Sequence, residues 1–237
     1  MTIVLVGVDH DDLYGYERIN ALLNHYKPEK VGVEEDMDTF NQTIEHRASL
    51  RRDDEMKDIR DSVLEHVPTA NPKTVNQLLH SYGFKAQAIY DYAQRKNQQV
   101  ICYGADHFWD DDFKSRLANR FLVEPNVSLI TRSAKQFQEA VDEGYQDGSV
   151  PSPVVDQLHY QRRDERYAKL LREDNPENGV LLAVFGFNHV FGDYQGVLAD
   201  RLDDVVTFRL CDAERISPLS SLETRHPQTA SLEEDYL

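Results

Sequence analysis

Three apolar runs in this chain stop in the same way. "IVLVGVDH" closes on His10, "VICYGADH" closes on His107, and "LLAVFGFNHVFG" carries His189 three positions after Gly186. The runs alternate too little for a strand with one wet face. They read as strands buried on both faces, the habit of parallel sheets. A fourth run, "KVGVEED", stops at the carboxylates Glu34 and Glu35 instead.

Helical spacing fills the gaps between these runs. Leu13, Tyr16, Ile19, Leu22 and Leu23 recur on one face, and "YKPEK" ends that helix before the second strand. The result is a βαβ unit with Glu34 and Glu35 at its far end. Residues 37–66 are polar and helix-permissive, "VPTANPK" is a linker with two prolines, and helical spacing returns over 74–95. The third strand is expected at 99–104, helices at 112–122, 134–144 and 154–173, the fourth strand at 180–186 and the fifth at 205–210. The fold class is therefore α/β: a central, mostly parallel mixed sheet flanked by helices, with a helical insertion over the carboxyl edge of the strands. One domain covers 1–216, with helical insertions at about 37–98 and 112–173. Periodicity is lost beyond Ser217, and 217–237 reads as a tail.

In such sheets ligands bind beyond the carboxyl ends of the strands. The Gly-x-x-His motifs fall there, so His10, Glu34 and His189 are expected to converge on one site. Imidazoles and carboxylates sharing a pocket serve two chemistries. They ligate a divalent cation that keeps a position open for water, or they act without metal as a general base oriented by a carboxylate. His10, Glu34, His189, Asp106 and His107 form the candidate metal set, with Mn, Co or Zn as the cation. Asp9 and Asp106 lie close to strand ends. Asp11, Asp12 and Asp110 to Asp112 read as solvated loop acids. "QRRDERYAKLL" sets Arg163 and Asp164 near the start of an amphipathic helix, with Arg166 roughly on the face of Arg163. A guanidinium there either steadies an oxyanion or packs the helix through an ion pair.

The formal charge of -16 repels nucleic acid and anionic membranes, so neither is expected as a partner. A surface adapted to high salt and an ordinary acidic surface both fit that excess. Cys102 and Cys211 lack metal-type spacing and read as buried small hydrophobes. No run approaches the ~20 apolar residues of a membrane span, and the chain opens directly on a strand, so a cytoplasmic, membrane-free protein is expected. Phosphate-binding loops, dinucleotide-binding glycine fingerprints and Gly-x-Ser-x-Gly elbows are absent.

The order "LVGVDH", "VGVEE", "AQAIYDYAQRKNQQVICYGAD", "RRDERYAKLL", "VLLAVFGFNHVFG" resembles the TraB/PrgY family. That family stands within the group of Tiki metalloproteases, GumN-like proteins and the erythromycin-esterase/ChaN-like fold. The resemblance runs to about Leu210 and implies a site of His10, Glu34, Arg163 and His189. It departs at Asp12, where a serine is common, at His107, where an arginine is common, and at Arg162, where a glutamate is common. The Tiki branch implies a metal-dependent peptidase, the erythromycin-esterase branch a histidine base without metal. The leading expectation is a hydrolase, divalent-metal-assisted, cleaving a peptide or related acyl bond in a peptide or small-molecule substrate, with a homodimer as its assembly. The rivals are a protein of the same fold that sequesters a peptide or haem, and a metal-free esterase.

Overall fold

The computed structural model describes residues 2–50, 53–104, 121–122, 126–148, 157–176 and 179–216. Its centre is a five-stranded sheet of β1 (Thr2–Val8), β2 (Lys30–Val33), β3 (Val100–Cys102), β4 (Val180–Gly186) and β5 (Val205–Arg209), in the order β3-β2-β4-β1-β5. Every pairing is parallel, so the mixed component expected from sequence is not found among the described strands. Each connection between described strands is long enough to cross over the sheet, and none is a hairpin that would return a strand antiparallel.

Alternation along the strands splits the interior into two layers. Val4, Val6, Val8, Val31, Val33, Leu182 and Val184 face one side. Ile3, Leu5, Leu181, Ala183 and Phe185 face the other. The first layer is covered by α1 (Gly15–Tyr26) and α5 (Phe84–Lys96), through Ile19, Leu22, Leu23, Ala88 and Ile89. The second is covered by α8 (Gln157–Asp174), through Tyr167, Ala168 and Leu171. Between β2 and α5 lie α2 (Met37–Leu50), α3 (Asp53–His66) and α4 (Pro72–Ser81). Then come α6 (Asn126–Ile130), α7 (Ala134–Asp147), α8 and, straight after β4, the short α9 (Phe187–Phe191). Short 3-10 helices at Leu198–Arg201 and Leu210–Arg215 flank β5.

Several boundaries differ from the sequence reading. The helix expected over 74–95 is two helices. Asn71 caps α4 by accepting from the N–H groups of Lys73 and Thr74, with Pro72 in the first turn. The chain then breaks at Gly83, whose φ of 65° is left-handed. Cys102 and Cys211 are half-buried rather than buried, and neither is in a disulfide. Partial burial and neighbouring carboxylates push the Cys102 thiol up to about 12. Cys211 lies in the 3-10 helix after β5. The helix at 112–122 and the tail at 217–237 fall almost wholly outside the described residues. No described helix is long and apolar enough to cross a membrane.

Candidate functional site

β4 lies between β1 and β2, so the ends of β2, β4 and β1 are neighbours, about 4.8 Å apart from strand to strand. Val8 pairs with Gly186, Val33 pairs with Val184, and the Glu34 N–H donates to the Val184 carbonyl at 3.1 Å. His10, Glu34 and His189 therefore leave adjacent strands at one level. A Cβ placed on Gly186 would stand 3.2 Å from Glu34 Oε2, 3.7 Å from His10 Nε2 and 3.9 Å from His189 Cδ2. All three side chains come within 4 Å of that point. An added methyl would be tight for room rather than for backbone conformation, since the φ of -55° suits any residue.

Glu34 is the hub. Its Oε1 accepts from Arg163 Nη2 at 2.9 Å and lies 3.2 Å from His189 Nε2. Its Oε2 accepts the Gly186 N–H at 2.6 Å. Lys85, at the start of α5, sets its Nζ 3.9 Å from that oxygen and 2.8 Å from Glu35 Oε1. Burial alone would push the Glu34 carboxyl up. The His189 hydrogen bond and the charges of Lys85 and Arg163 outweigh it and hold Glu34 well below the usual carboxylate range.

His189 stands between two carboxylates. Its Nδ1 is 2.5 Å from Asp164 Oδ1, and the other Asp164 oxygen accepts from the Tyr194 hydroxyl at 2.5 Å. His189 is 2% exposed and Asp164 is fully buried. Burial disfavours the imidazolium, but Asp164 and Glu34 favour it more and raise its pKa. The helix α8 delivers Asp164 because Asp164, Tyr167, Ala168 and Leu171 form one stripe of positions i, i+3, i+4 and i+7 facing the sheet. Arg163, one position earlier, points aside. Its Nε and Nη2 donate to Tyr167 Oη at 3.1 and 2.7 Å. Arg166 does not share that environment; it is exposed. Tyr160 and Tyr167 approach the His189 ring edge-on, at 4.9 and 5.5 Å between centroids.

Asp12 corrects the sequence reading. It is not a solvated loop acid but fully buried, paired with the equally buried Arg18 at 2.7 Å. A guanidinium on the inner face of α1 needed a carboxylate, and the loop after β1 supplies it. Asp9 is buried too, and its Oδ1 accepts from the Asp11 N–H at 2.9 Å. Asp106, His107 and Asp110 to Asp112 lie outside the described residues. Gly104, the glycine of that motif, is described. A side chain there would strike the Glu34–Asp36 backbone, with Asp36 N at 2.2 Å. Sequence reading passed over Lys85 and did not rank Asp164 among the site residues. The signal for both was a charge on an apolar stripe, Lys85 with Ala88, Ile89 and Tyr92 in α5 and Asp164 in α8.

Among the described residues no group of three His, Cys, Asp or Glu side chains is arranged to hold a metal. A ligating imidazole must offer a lone pair. Both His189 nitrogens instead face carboxylates, in a setting that favours the protonated ring. Glu34 is already engaged by Arg163, and a divalent cation would stand against that guanidinium and Lys85. Glu34 and both His189 nitrogens are thus engaged by protein partners, while Asp106 and His107, the other members of the candidate metal set, lie outside the described residues. No protein-family model, curated protein or solved structure matches this chain.

Proposed function

We propose that the protein is a hydrolase of an ester, peptide or related acyl bond that works without a metal. The observation that supports it most directly is the Asp164–His189–Glu34 relay, set against Arg163 and beside His10 at the mouth of three parallel strands. The motif order resembles that of the TraB/PrgY family, whose wider group includes esterases with a histidine base, and the resemblance favours the same reading.

His10 is exposed, whereas His189 is buried. His10 is thus the imidazole that meets water. Its ring takes a proton as the water oxygen attacks the carbonyl carbon. Negative charge then gathers on the former carbonyl oxygen. Arg163 is 23% exposed, and among the described residues its Nη1 makes no hydrogen bond, while Nε and Nη2 are fixed by Tyr167 and Glu34. A guanidinium held in advance and partly exposed is suited to that oxyanion. The tetrahedral intermediate collapses, the carbon–heteroatom bond breaks, and the leaving group recovers the proton from His10. Glu34 and protonated His189 neutralise one another and keep Arg163 in place.

The test is hydrolysis of p-nitrophenyl esters and of a mixed peptide library, with chelator and with added manganese, cobalt or zinc. Turnover unchanged by chelator and lowered at least ~10²-fold by His10→Ala is the expected result. Turnover that needs added metal overturns the metal-free assignment. Tight peptide binding without turnover moves the protein to the sequestering class.

A further inference from the structure

The segment between β1 and α1 that carries His10 is irregular, yet its backbone is fastened at almost every residue. The Asp9 N–H donates to Tyr145 Oη at 2.7 Å, and the Asp12 N–H donates to the Asp9 carbonyl at 3.4 Å. The Leu13 N–H donates to Gln138 Oε1 and the Tyr14 N–H to Asp12 Oδ1, each at 2.9 Å. Tyr145 and Gln138 belong to α7, more than a hundred residues further along the chain.

These fastenings meet on Asp12. The Tyr145 hydroxyl that accepts from Asp9 donates to Asp12 Oδ2 at 3.2 Å. That oxygen also accepts from Arg18 Nη1 at 2.7 Å, and Gln138 Nε2 donates to Asp12 Oδ1 at 3.2 Å. Arg18 reaches on to Asp142 at 2.8 Å and to Glu214. Tyr145, Asp12 and Arg18 are each 0% exposed. Ion pairs taken wholly out of water add little stability over apolar packing, and their best-attested use is to fix one arrangement. Here the arrangement fixed is the loop that bears His10.

We propose that Tyr145, Asp12 and Arg18 are positioning residues that hold the His10 loop at the edge of the site, with α7 as the support. The proposal rests on the reading of His10 as the base. Tyr145 and Asp12 reach the chemistry only through the backbone around His10.

Tyr145→Phe is the main variant. It removes one hydroxyl and leaves the ring against Phe187, 5.6 Å away between centroids. The expected result with p-nitrophenyl esters is a kcat lower by roughly 10- to 100-fold, an unchanged KM and a melting temperature lower by about 3 °C at most. In a His10→Ala background the same change should cost nothing further, because a residue that acts only through His10 has nothing left to position. Amide hydrogen exchange needs no substrate. It should quicken at residues 9–13 of Tyr145→Phe and stay unchanged in α1 and α5. Gln138→Met, which removes the Leu13 and Asp12 contacts, is the second variant should Tyr145→Phe fold poorly. A loss that adds in the double variant, or loop exchange that does not change, overturns the clamp. Activity that survives His10→Ala instead overturns the assignment of His10 as base, and the exchange result still judges whether the loop is held this way.

Discussion

Asp164 and His189 stand 25 positions apart in sequence and 2.5 Å apart in space, joined through Oδ1 and Nδ1. The contact ties α8 to the first turn after β4 and settles which imidazole nitrogen faces Glu34. Asp164→Asn keeps the shape and removes the charge that favours the imidazolium. The expected outcome is a loss of about 2 kcal/mol in unfolding free energy at pH 6, the range for a hydrogen bond to a charged group. The His189 ring pKa, followed by NMR, should also fall. A stability within error of the parent would show the contact to be energetically idle.

The same cluster predicts a pH window. The His189 pKa is raised from 6.5, so its stabilisation is complete below that value and fades as pH rises through the raised one. The Glu34 pKa is lowered from 4.5, so its stabilisation is complete above that value and fades as pH falls through the lowered one. Stability contributed by the pair is therefore greatest between the two ordinary values. The difference in melting temperature between the parent and His189→Gln should be widest there and shrink as the buffer becomes more alkaline. A difference that widens steadily to pH 9 contradicts the assignment of charge.

Gly186→Ala adds one methyl to the floor of the site. The backbone tolerates it, but the methyl would stand 3.2 Å from Glu34 Oε2 and 3.7 Å from His10 Nε2. Unfolding free energy should change by no more than about 1 kcal/mol, while esterase turnover falls at least ~10-fold. Melting curves and rates on one preparation separate the two effects.

Arg163→Lys keeps a charge and gives up the planar fork that grips both Glu34 and Tyr167. If the guanidinium meets an oxyanion, kcat drops about 10²-fold, near 3 kcal/mol of barrier. If it only packs the helix, stability falls by up to ~1 kcal/mol and turnover survives.

Salt should stabilise the protein, because a net charge of -16 repels itself and added ions screen it. Thermal melts from 0.05 M to 2 M sodium chloride should climb steadily. The Arg18–Asp12 pair is buried and should respond little to screening. A flat series would dismiss the reading of a high-salt surface.

The sequence exposes the strands clearly, since Ile3–Val8 and Leu181–Phe185 are apolar on both faces and end in turn-forming residues. His10, Glu34 and His189 follow from strand ends alone. Three other charges were not assigned a place in the interior for one reason. Arg18, Lys85 and Asp164 each sit on the apolar stripe of a helix, where a reader of periodicity takes the charge as noise. Each is buried because a partner from a distant segment meets it: Asp12 meets Arg18, Glu35 meets Lys85, and His189 meets Asp164. Local pattern cannot supply such partners. Nor can it show that the last long strand slips between the first two, because strand order depends on how the crossovers pack.

That slip has a consequence for how the protein is made. Until residue 186 has left the ribosome, β1 and β2 have no strand between them, and β1 lacks both of its neighbours. The early half of the chain can form helices and the β2–β3 pair but not the full sheet, so closure of the core is a late, long-range event. The site and the core are then completed by the same strand. A chain cut short before β4 loses its fold and its chemistry at one stroke.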